Sequence, residues 1–62
     1  MADIQITNSG SGFFSIHGLS PTGTEWINSN VDGASNGQSW SDDVHYTKDI
    51  YQGALDDGLE VE

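Results

Sequence analysis

The residues of this chain that are best suited to chemistry are carboxylates, and most of them lie in its last third. Residues 40–62 contain seven acids and one base, Lys48. The whole chain has ten acidic residues and a formal net charge of -9 over 62 residues. Phosphate backbones and anionic lipid surfaces repel such a chain, so we expect no direct binding to nucleic acids or membranes. A basic surface would attract it.

The seven acids are our predicted partner-binding residues, each carboxylate meeting a Lys or Arg side chain that otherwise meets phosphate. They are Asp42, Asp43, Asp49, Asp56, Asp57, Glu60 and Glu62. Three of them break local rules. Asp56 and Asp57 are expected at the carboxyl end of a helix, where the dipole disfavours negative charge, and Asp42 is expected on the apolar side of a strand. Such departures tend to mark functional residues.

Catalytic and metal-binding readings of the chain are weaker. His17 and His45 are expected on the surface of strands, and so short a chain has little room for a cleft, so we predict no enzyme activity. Residues 32–43 partly follow a calcium-loop pattern, with Asp at the first position and Gly at the sixth. Because Ala34 offers no ligand at the third position, we interpret this segment as a surface loop and predict no metal or other cofactor.

Alternating residues near the amino terminus predict a β-hairpin. Residues 3–7 and 13–17 are rich in strand formers, and the Gly and Ser residues of segment 8–12 favour a turn between them. The side chains expected on the buried face are those of Ile4, Ile6, Phe14 and Ile16.

The next segment has the pattern of a helix start. Ser20 is a suitable N-cap and Pro21 suits the first helical position, while Leu19 precedes the cap as a possible hydrophobic staple. Apolar residues then follow helical spacing at Trp26, Ile27 and Val31. The helix is expected to end between residues 30 and 33.

A third strand and a second helix are predicted after the loop at residues 32–38. Trp40, Val44 and Tyr46 occupy even positions, which favours a strand, and the acidic Asp42 on that side suggests that it starts at residue 42 or 43. Thr47 is then a possible N-cap. The second helix would have Asp49 in its first turn and an apolar stripe formed by Ile50, Tyr51, Ala54 and Leu55. Gly58 is its expected left-handed C-cap. A last strand with the apolar residues Leu59 and Val61 would follow.

The predicted fold is therefore one small α+β domain over residues 1–62, with element order β-β-α-β-α-β. About four strands form an antiparallel sheet, and two helices pack on one of its faces. The other face is expected to be open and acidic. Alternation assigns to it Asp3, Gln5, Thr7, Ser15, His17, Asp43, His45, Glu60 and Glu62.

The charge has several explanations. A domain of this length has a radius of gyration of about 10 to 11 Å, hence a diameter of about 27 Å. Its net charge then averages about one per 3 Å, close to the roughly 3.4 Å spacing of phosphates along one DNA strand. The charge is also consistent with solubility alone, with a halophilic source, or with an interface for a basic protein unrelated to nucleic acids.

The cellular setting follows from what the sequence lacks. It has no Cys, so no disulfide contributes to stability. The amino terminus has no basic region or long apolar run, so we expect no signal peptide, and no segment has the roughly 20 apolar residues of a membrane span. We predict a cytoplasmic protein.

The run LSPTGTEW at residues 19–26, followed by several apolar positions and a DGLEV sequence at residues 57–61, resembles a pattern in short proteins of bacteriophages and mobile elements. In size and acidity the chain is also similar to anti-CRISPR proteins, several of which mimic DNA. That resemblance implies that the target is a type I interference complex and that the protein is located in the host bacterial cell. It implies no catalytic residue. The residues that carry the first resemblance between LSPTGTEW and DGLEV are Val31, Trp40, Val44, Tyr46, Asp49, Ile50 and Gly53.

Two functional hypotheses follow from the sequence. The first is a non-enzymatic phage-type inhibitor that blocks the DNA-binding surface of a host nucleic-acid-handling complex, with a type I CRISPR effector as the leading target. The second is a structural or accessory phage protein that assembles through Phe13 and sheet edges. A monomer or a small homo-oligomer is compatible with the first.

Overall fold

The fold was examined in a computed structural model, which describes residues 2–10 and 12–62. The chain is an α+β domain with a three-stranded antiparallel sheet in the order β1-β2-β3 and two helices. This confirms the predicted fold class and helix number. The elements are β1 (Ile4–Asn8), β2 (Phe14–Gly18), α1 (Pro21–Asn30), β3 (Gln38–Ser41) and α2 (Val44–Asp56).

The amino-terminal hairpin forms as predicted. β1 and β2 pair in a register that places Ile6 opposite Ile16 and Asn8 opposite Phe14. Ile4 and Ile16 are fully buried, whereas Ile6 and Phe14 are partly buried on the same face. Alternation thus assigned the faces of both strands correctly.

Helix α1 also starts and ends where the sequence predicts. The Ser20 hydroxyl accepts a hydrogen bond from the Gly23 amide at 3.0 Å, and Pro21 is the first helical residue. Ile27 and Val31 are buried and Trp26 is partly buried. A cap, a proline and an apolar side therefore sufficed to locate this helix.

The third strand differs from its prediction in both position and orientation. β3 covers Gln38–Ser41, and its buried side chains are those of Ser39 and Ser41. Trp40 is 65% exposed. Ser39 pairs with the buried Ile16, which places the small serines towards the helices and turns Trp40 to the opposite face. A shift of one residue in the expected alternation reverses every side chain, so Asp42 is not on an apolar strand face.

Helix α2 begins three residues before the predicted cap. Its N-cap is Asp43, whose carboxylate accepts hydrogen bonds from the amides of His45 and Tyr46. Thr47 is a buried helical residue, and its hydroxyl donates to the Asp43 carbonyl at 2.9 Å. The alternation of Val44, His45 and Tyr46 is the first helical turn, where a period of 2 cannot be distinguished from a period of 3.6 over three residues. Asp49 consequently lies in the second turn.

The predicted fourth strand is a shorter feature of different direction. Val61 forms a single parallel bridge with Ile4, and the Glu62 amide donates to the Ile4 carbonyl at 2.8 Å. The predicted left-handed C-cap is confirmed at Gly58 (φ 86°), and the amide of buried Leu59 donates to the Ala54 carbonyl. Because the chain returns from α2 beside β1, the last segment extends the sheet in parallel.

Both helices pack on one face of the sheet, as predicted. Their buried residues join those of the strands in one cluster, formed by Ile4, Ile16, Ile27, Val31, Ile50, Ala54 and Leu59.

The opposite face is not the acidic surface that alternation predicted. Register places on it Gln5, Thr7, Ser15, His17, Gln38 and Trp40, so no acid from the three strands lies there. Asp43 and His45 belong to α2 and its cap because the strand that was expected to present them is helical. The rings of His17 and Trp40 pack edge to face, with centroids 6.2 Å apart.

Candidate acidic surface

The structure places five of the seven predicted binding residues along α2 and two beside β1. Asp42 and Asp43 precede the helix, Asp49 lies within it, and Asp56 and Asp57 close it. Glu60 and Glu62 lie in the segment that pairs with β1. All seven are exposed.

Asp49 and Asp56 share one exposed side of α2. They are seven residues apart, which is about two helical turns, so their side chains project in nearly the same direction. The Gln52 amide lies between them and donates to the Asp56 carboxylate at 3.1 Å. From residue 42 to residue 57 the five acids extend over about 22 Å, a mean spacing of about 5 to 6 Å, with an adjacent pair at each end and Asp49 about 10 Å from both pairs. The mean is within about twofold of the roughly 3.4 Å per phosphate of one DNA strand.

Two of the acids have structural roles that account for their positions. Asp43 caps the amino terminus of α2, where its negative charge also complements the helix dipole. Asp57 accepts a hydrogen bond from the Trp26 indole Nε1 at 2.6 Å and thereby links the end of α2 to α1. The unfavourable position of Asp57 at the helix end is therefore offset by a tertiary contact that sequence reasoning missed. A partly buried Trp requires a partner for its indole N–H, and that requirement was the available signal.

Asp42 and Asp49 differ from Asp43 and Asp57 in having no hydrogen bond that ties their carboxylates to the described part of the fold. Neither carboxylate makes a hydrogen bond to another group in the part of the chain that the structure describes. Since both are exposed, their negative charge contributes to the surface potential without a local structural use. They are the least constrained members of the acidic surface.

Lys48 lies apart from the acidic side of α2. Relative to Asp49 and Asp56 it is rotated by about a quarter of a turn, because successive helical residues differ by about 100°. It lines a groove with Ile6, Phe14, Val44, Thr47, Tyr51 and Glu62. Asp49 and Asp56 thus present their charge on a side of α2 that carries no base.

Asp3 is a structural residue that sequence analysis assigned to the open face. Its carboxylate accepts hydrogen bonds from the Ser20 hydroxyl at 2.6 Å and from the Glu60 amide at 3.1 Å. Its carbonyl accepts from the Leu19 amide at 2.7 Å. The Ser20 hydroxyl and the Glu60 amide lower the pKa of Asp3 below its ordinary value of 3.8. Asp3 therefore joins β1, the α1 cap and the carboxyl-terminal segment, contacts too distant in sequence for local patterns to indicate.

Other kinds of site find little support among residues 2–10 and 12–62. No group of three or more His, Asp or Glu side chains is arranged to hold a metal ion within those residues. A cavity of about 340 Å³ on α1 is lined by Thr22, Glu25, Trp26, Ser29 and Asn30, and neither histidine contributes to it. None of the described helices has the length and apolar character needed to cross a bilayer.

Comparison of the chain with known protein families, curated proteins and solved structures finds no match. The acidic surface itself is therefore the feature from which a function is inferred.

Proposed function

We propose that this protein is a non-enzymatic inhibitor that presents a DNA-like line of negative charge and occupies the DNA-binding surface of a host nucleic-acid-handling complex. The leading target is a type I CRISPR effector of the Cascade kind, in the cytoplasm of a host bacterium. The observation that supports the proposal is the set of five exposed acids along α2 and at its two ends, at a mean spacing within about twofold of that of phosphates along one DNA strand.

The chemistry of such a complex is ion pairing. Each exposed carboxylate would accept charge-assisted hydrogen bonds from a Lys or Arg side chain of the target. The net charge of -9 would also accelerate encounter with a basic groove. Because the acids project from a helix fixed to the core by Ile50 and Ala54, they are held in place before binding. Glu60 and Glu62 would extend the contact beyond the helix.

The proposal is tested by competition with DNA. A fluorescently labelled target duplex is bound to a purified type I effector, and the protein is added as competitor at salt concentrations from 50 to 400 mM. We expect displacement of DNA, and we expect the affinity of the protein for the effector to fall by about tenfold or more over this range. If the protein binds the effector with an affinity that salt leaves unchanged, charge mimicry is wrong. If it neither binds nor displaces DNA, the target is wrong.

A second candidate function, a structural or accessory phage protein, is favoured by the exposed apolar side chains. Phe13 is half exposed, and Trp40 and four residues of α2 are exposed as well. Such side chains are typical of assembly surfaces. The mass of the protein in solution, measured by light scattering at about 10 µM chain, would distinguish an obligate assembly from an inhibitor that is monomeric at that concentration.

A further inference from the structure

Helix α2 has an exposed apolar stripe on the side away from its acids. Val44, Tyr51 and Leu55 are 51%, 44% and 39% exposed. Together with Lys48 they follow a spacing of four, three and four residues, which is the spacing of the apolar seam of a two-helix coiled coil. The stripe, residues 44, 48, 51 and 55, contains no acid in a chain with ten of them.

The stripe borders a groove that opens between α2 and the sheet. The groove has a volume of about 270 Å³, and Ile6 and Phe14 contribute apolar side chains to it from β1 and β2. Val44, Thr47, Lys48 and Tyr51 line it from the helix, and Glu62 lines it from the carboxyl-terminal segment. An apolar side chain the size of leucine would fit such a groove beside Val44.

The order of residues in the stripe makes it complementary to itself. When two copies of α2 cross antiparallel about a two-fold axis between residues 49 and 50, Val44 lies opposite Leu55 of the other copy. Lys48 then lies opposite Tyr51 of the other copy. The first pairing joins two apolar side chains, and the second places an ammonium group against an aromatic ring, an attractive cation–π arrangement.

We infer that the stripe and its groove form a homodimer interface, with a second copy of this chain as the occupant. Leu55 of each copy enters the groove beside Val44 of the other, and Lys48 of each copy contacts the Tyr51 ring of the other. Lys48 is the only Lys or Arg residue in the chain, and it would contact the Tyr51 ring of another copy. This complementarity favours a second copy as the occupant of the groove.

The charge of the molecule determines how this dimer responds to salt. Two chains of net charge -9 repel each other, and in the antiparallel arrangement the acids at the start of one α2 approach those at the end of the other. Added salt screens this repulsion but leaves apolar contacts intact, since the screening length falls from about 10 Å at 0.1 M to about 3 Å at 1 M. The dimer should strengthen with salt, whereas binding to a basic target should weaken.

Sedimentation equilibrium at 10 µM to 1 mM chain, in 0.05 and 0.5 M salt, tests the inference. We expect the weight-average mass to approach twice the 6.6 kDa of one chain at 0.5 M salt, and to fall at 0.05 M. A single helix seam is smaller than a standard interface of about 800 Å² per partner, so we expect a dissociation constant of about 100 µM. A mass of 6.6 kDa at 1 mM chain and 0.5 M salt would overturn the proposal.

Matched substitutions locate the interface. Leu55→Asp should weaken the dimer by about a hundredfold, because it places a charge in the apolar groove. Leu19→Asp is the control, since Leu19 is 46% exposed, lies off the stripe and receives the same added charge. A mass that responds equally to both changes, or only to Leu19→Asp, contradicts the assigned surface.

Lys48→Glu provides a second test, which stays valid if the Leu55→Asp variant does not fold. Lys48 is exposed on α2, so its replacement should leave the thermal unfolding transition in place. We expect the dimer to weaken by about tenfold or more at 0.5 M salt, because Glu repels the ring face that Lys attracts. An unchanged dissociation constant would exclude the Lys48–Tyr51 contact. Both variants keep all seven proposed binding acids, so DNA competition tests the proposed function separately.

Discussion

At the scale of single residues, the acids of α2 divide into those that hold the fold and those that only carry charge. Asp43 caps the helix and Asp57 receives the Trp26 indole hydrogen bond, whereas Asp42 and Asp49 make no such contact within the described residues. This division matters for mutagenesis. Replacing Asp by Asn removes charge but keeps an acceptor oxygen, so it separates the two roles.

Asp43 is the clearest case of a residue with two roles. Asp43→Ala removes the acceptor for the His45 and Tyr46 amides and should lower the free energy of unfolding by about 1 kcal/mol. Asp43→Asn should have a much smaller effect, because Asn is an equally good N-cap. Urea denaturation monitored by circular dichroism compares the two variants. Equal losses of stability would show that charge at the helix start, and not the cap, is responsible.

Asp3 should make stability depend on pH in a defined direction. Because folding lowers its pKa, its hydrogen bonds contribute fully above the pKa of the unfolded chain and are lost as pH falls through the folded value. We expect Asp3→Asn to melt at a lower temperature than the native protein at pH 7. The difference should shrink below pH 3.8 as the carboxylate is protonated. A difference that is constant from pH 7 to pH 2 would assign the effect to packing instead.

At the scale of secondary structure elements, local signals located the hairpin and α1 but failed at β3 and the start of α2. The Ser20 cap and Pro21 lie next to one another in sequence, and the hairpin faces follow from alternation, so short windows contained the information. β3 buries two serines and exposes Trp40, which is the reverse of the predicted orientation. The orientation depends on which face of the sheet the helices cover. The parallel bridge of Val61 with Ile4 joins the two ends of the chain. No local pattern specifies it.

The close approach of α1 to β1 predicts opposite effects for two helical glycines. A Cβ atom on Gly23 would overlap the Asp3 carbonyl oxygen, whereas one on Gly53 would make an ordinary contact with the Trp26 ring. Gly23→Ala should therefore lower the free energy of unfolding by about 3 kcal/mol or more, despite the higher helix propensity of Ala. Gly53→Ala should raise it by about 0.5 to 1 kcal/mol. Chemical denaturation of both variants measures this, and a stabilising Gly23→Ala would contradict the packing of α1 against β1.

At the scale of the whole molecule, the dimensions agree with the sequence estimate. The radius of gyration is 10.3 Å and the longest axis is 28 Å. The acids, however, are not spread over an open sheet face as alternation suggested. Five of them follow α2 and its ends, and the sheet face instead presents neutral side chains with Trp40 and His17. The number of charges was evident from the sequence, but their arrangement depended on where α2 begins.

The two sides of α2 differ in character, since one carries Asp49 and Asp56 and the other carries the stripe around Lys48. The acidic side is proposed to meet a basic target, and the stripe around Lys48 is proposed to meet a second copy. The two associations respond oppositely to salt, so they are distinguished in a single titration.

We expect competition with DNA to depend on the acids along α2 and not on net charge alone. Two double variants with the same net charge separate these alternatives: Asp42→Asn with Asp49→Asn, and Glu25→Gln with Asp32→Asn, each with two fewer charges than the native -9. All four side chains are exposed. In DNA competition on a purified type I effector, the first variant should lose at least about tenfold in inhibition, and the second should stay within about twofold of the native protein. Equal losses in both would contradict the account.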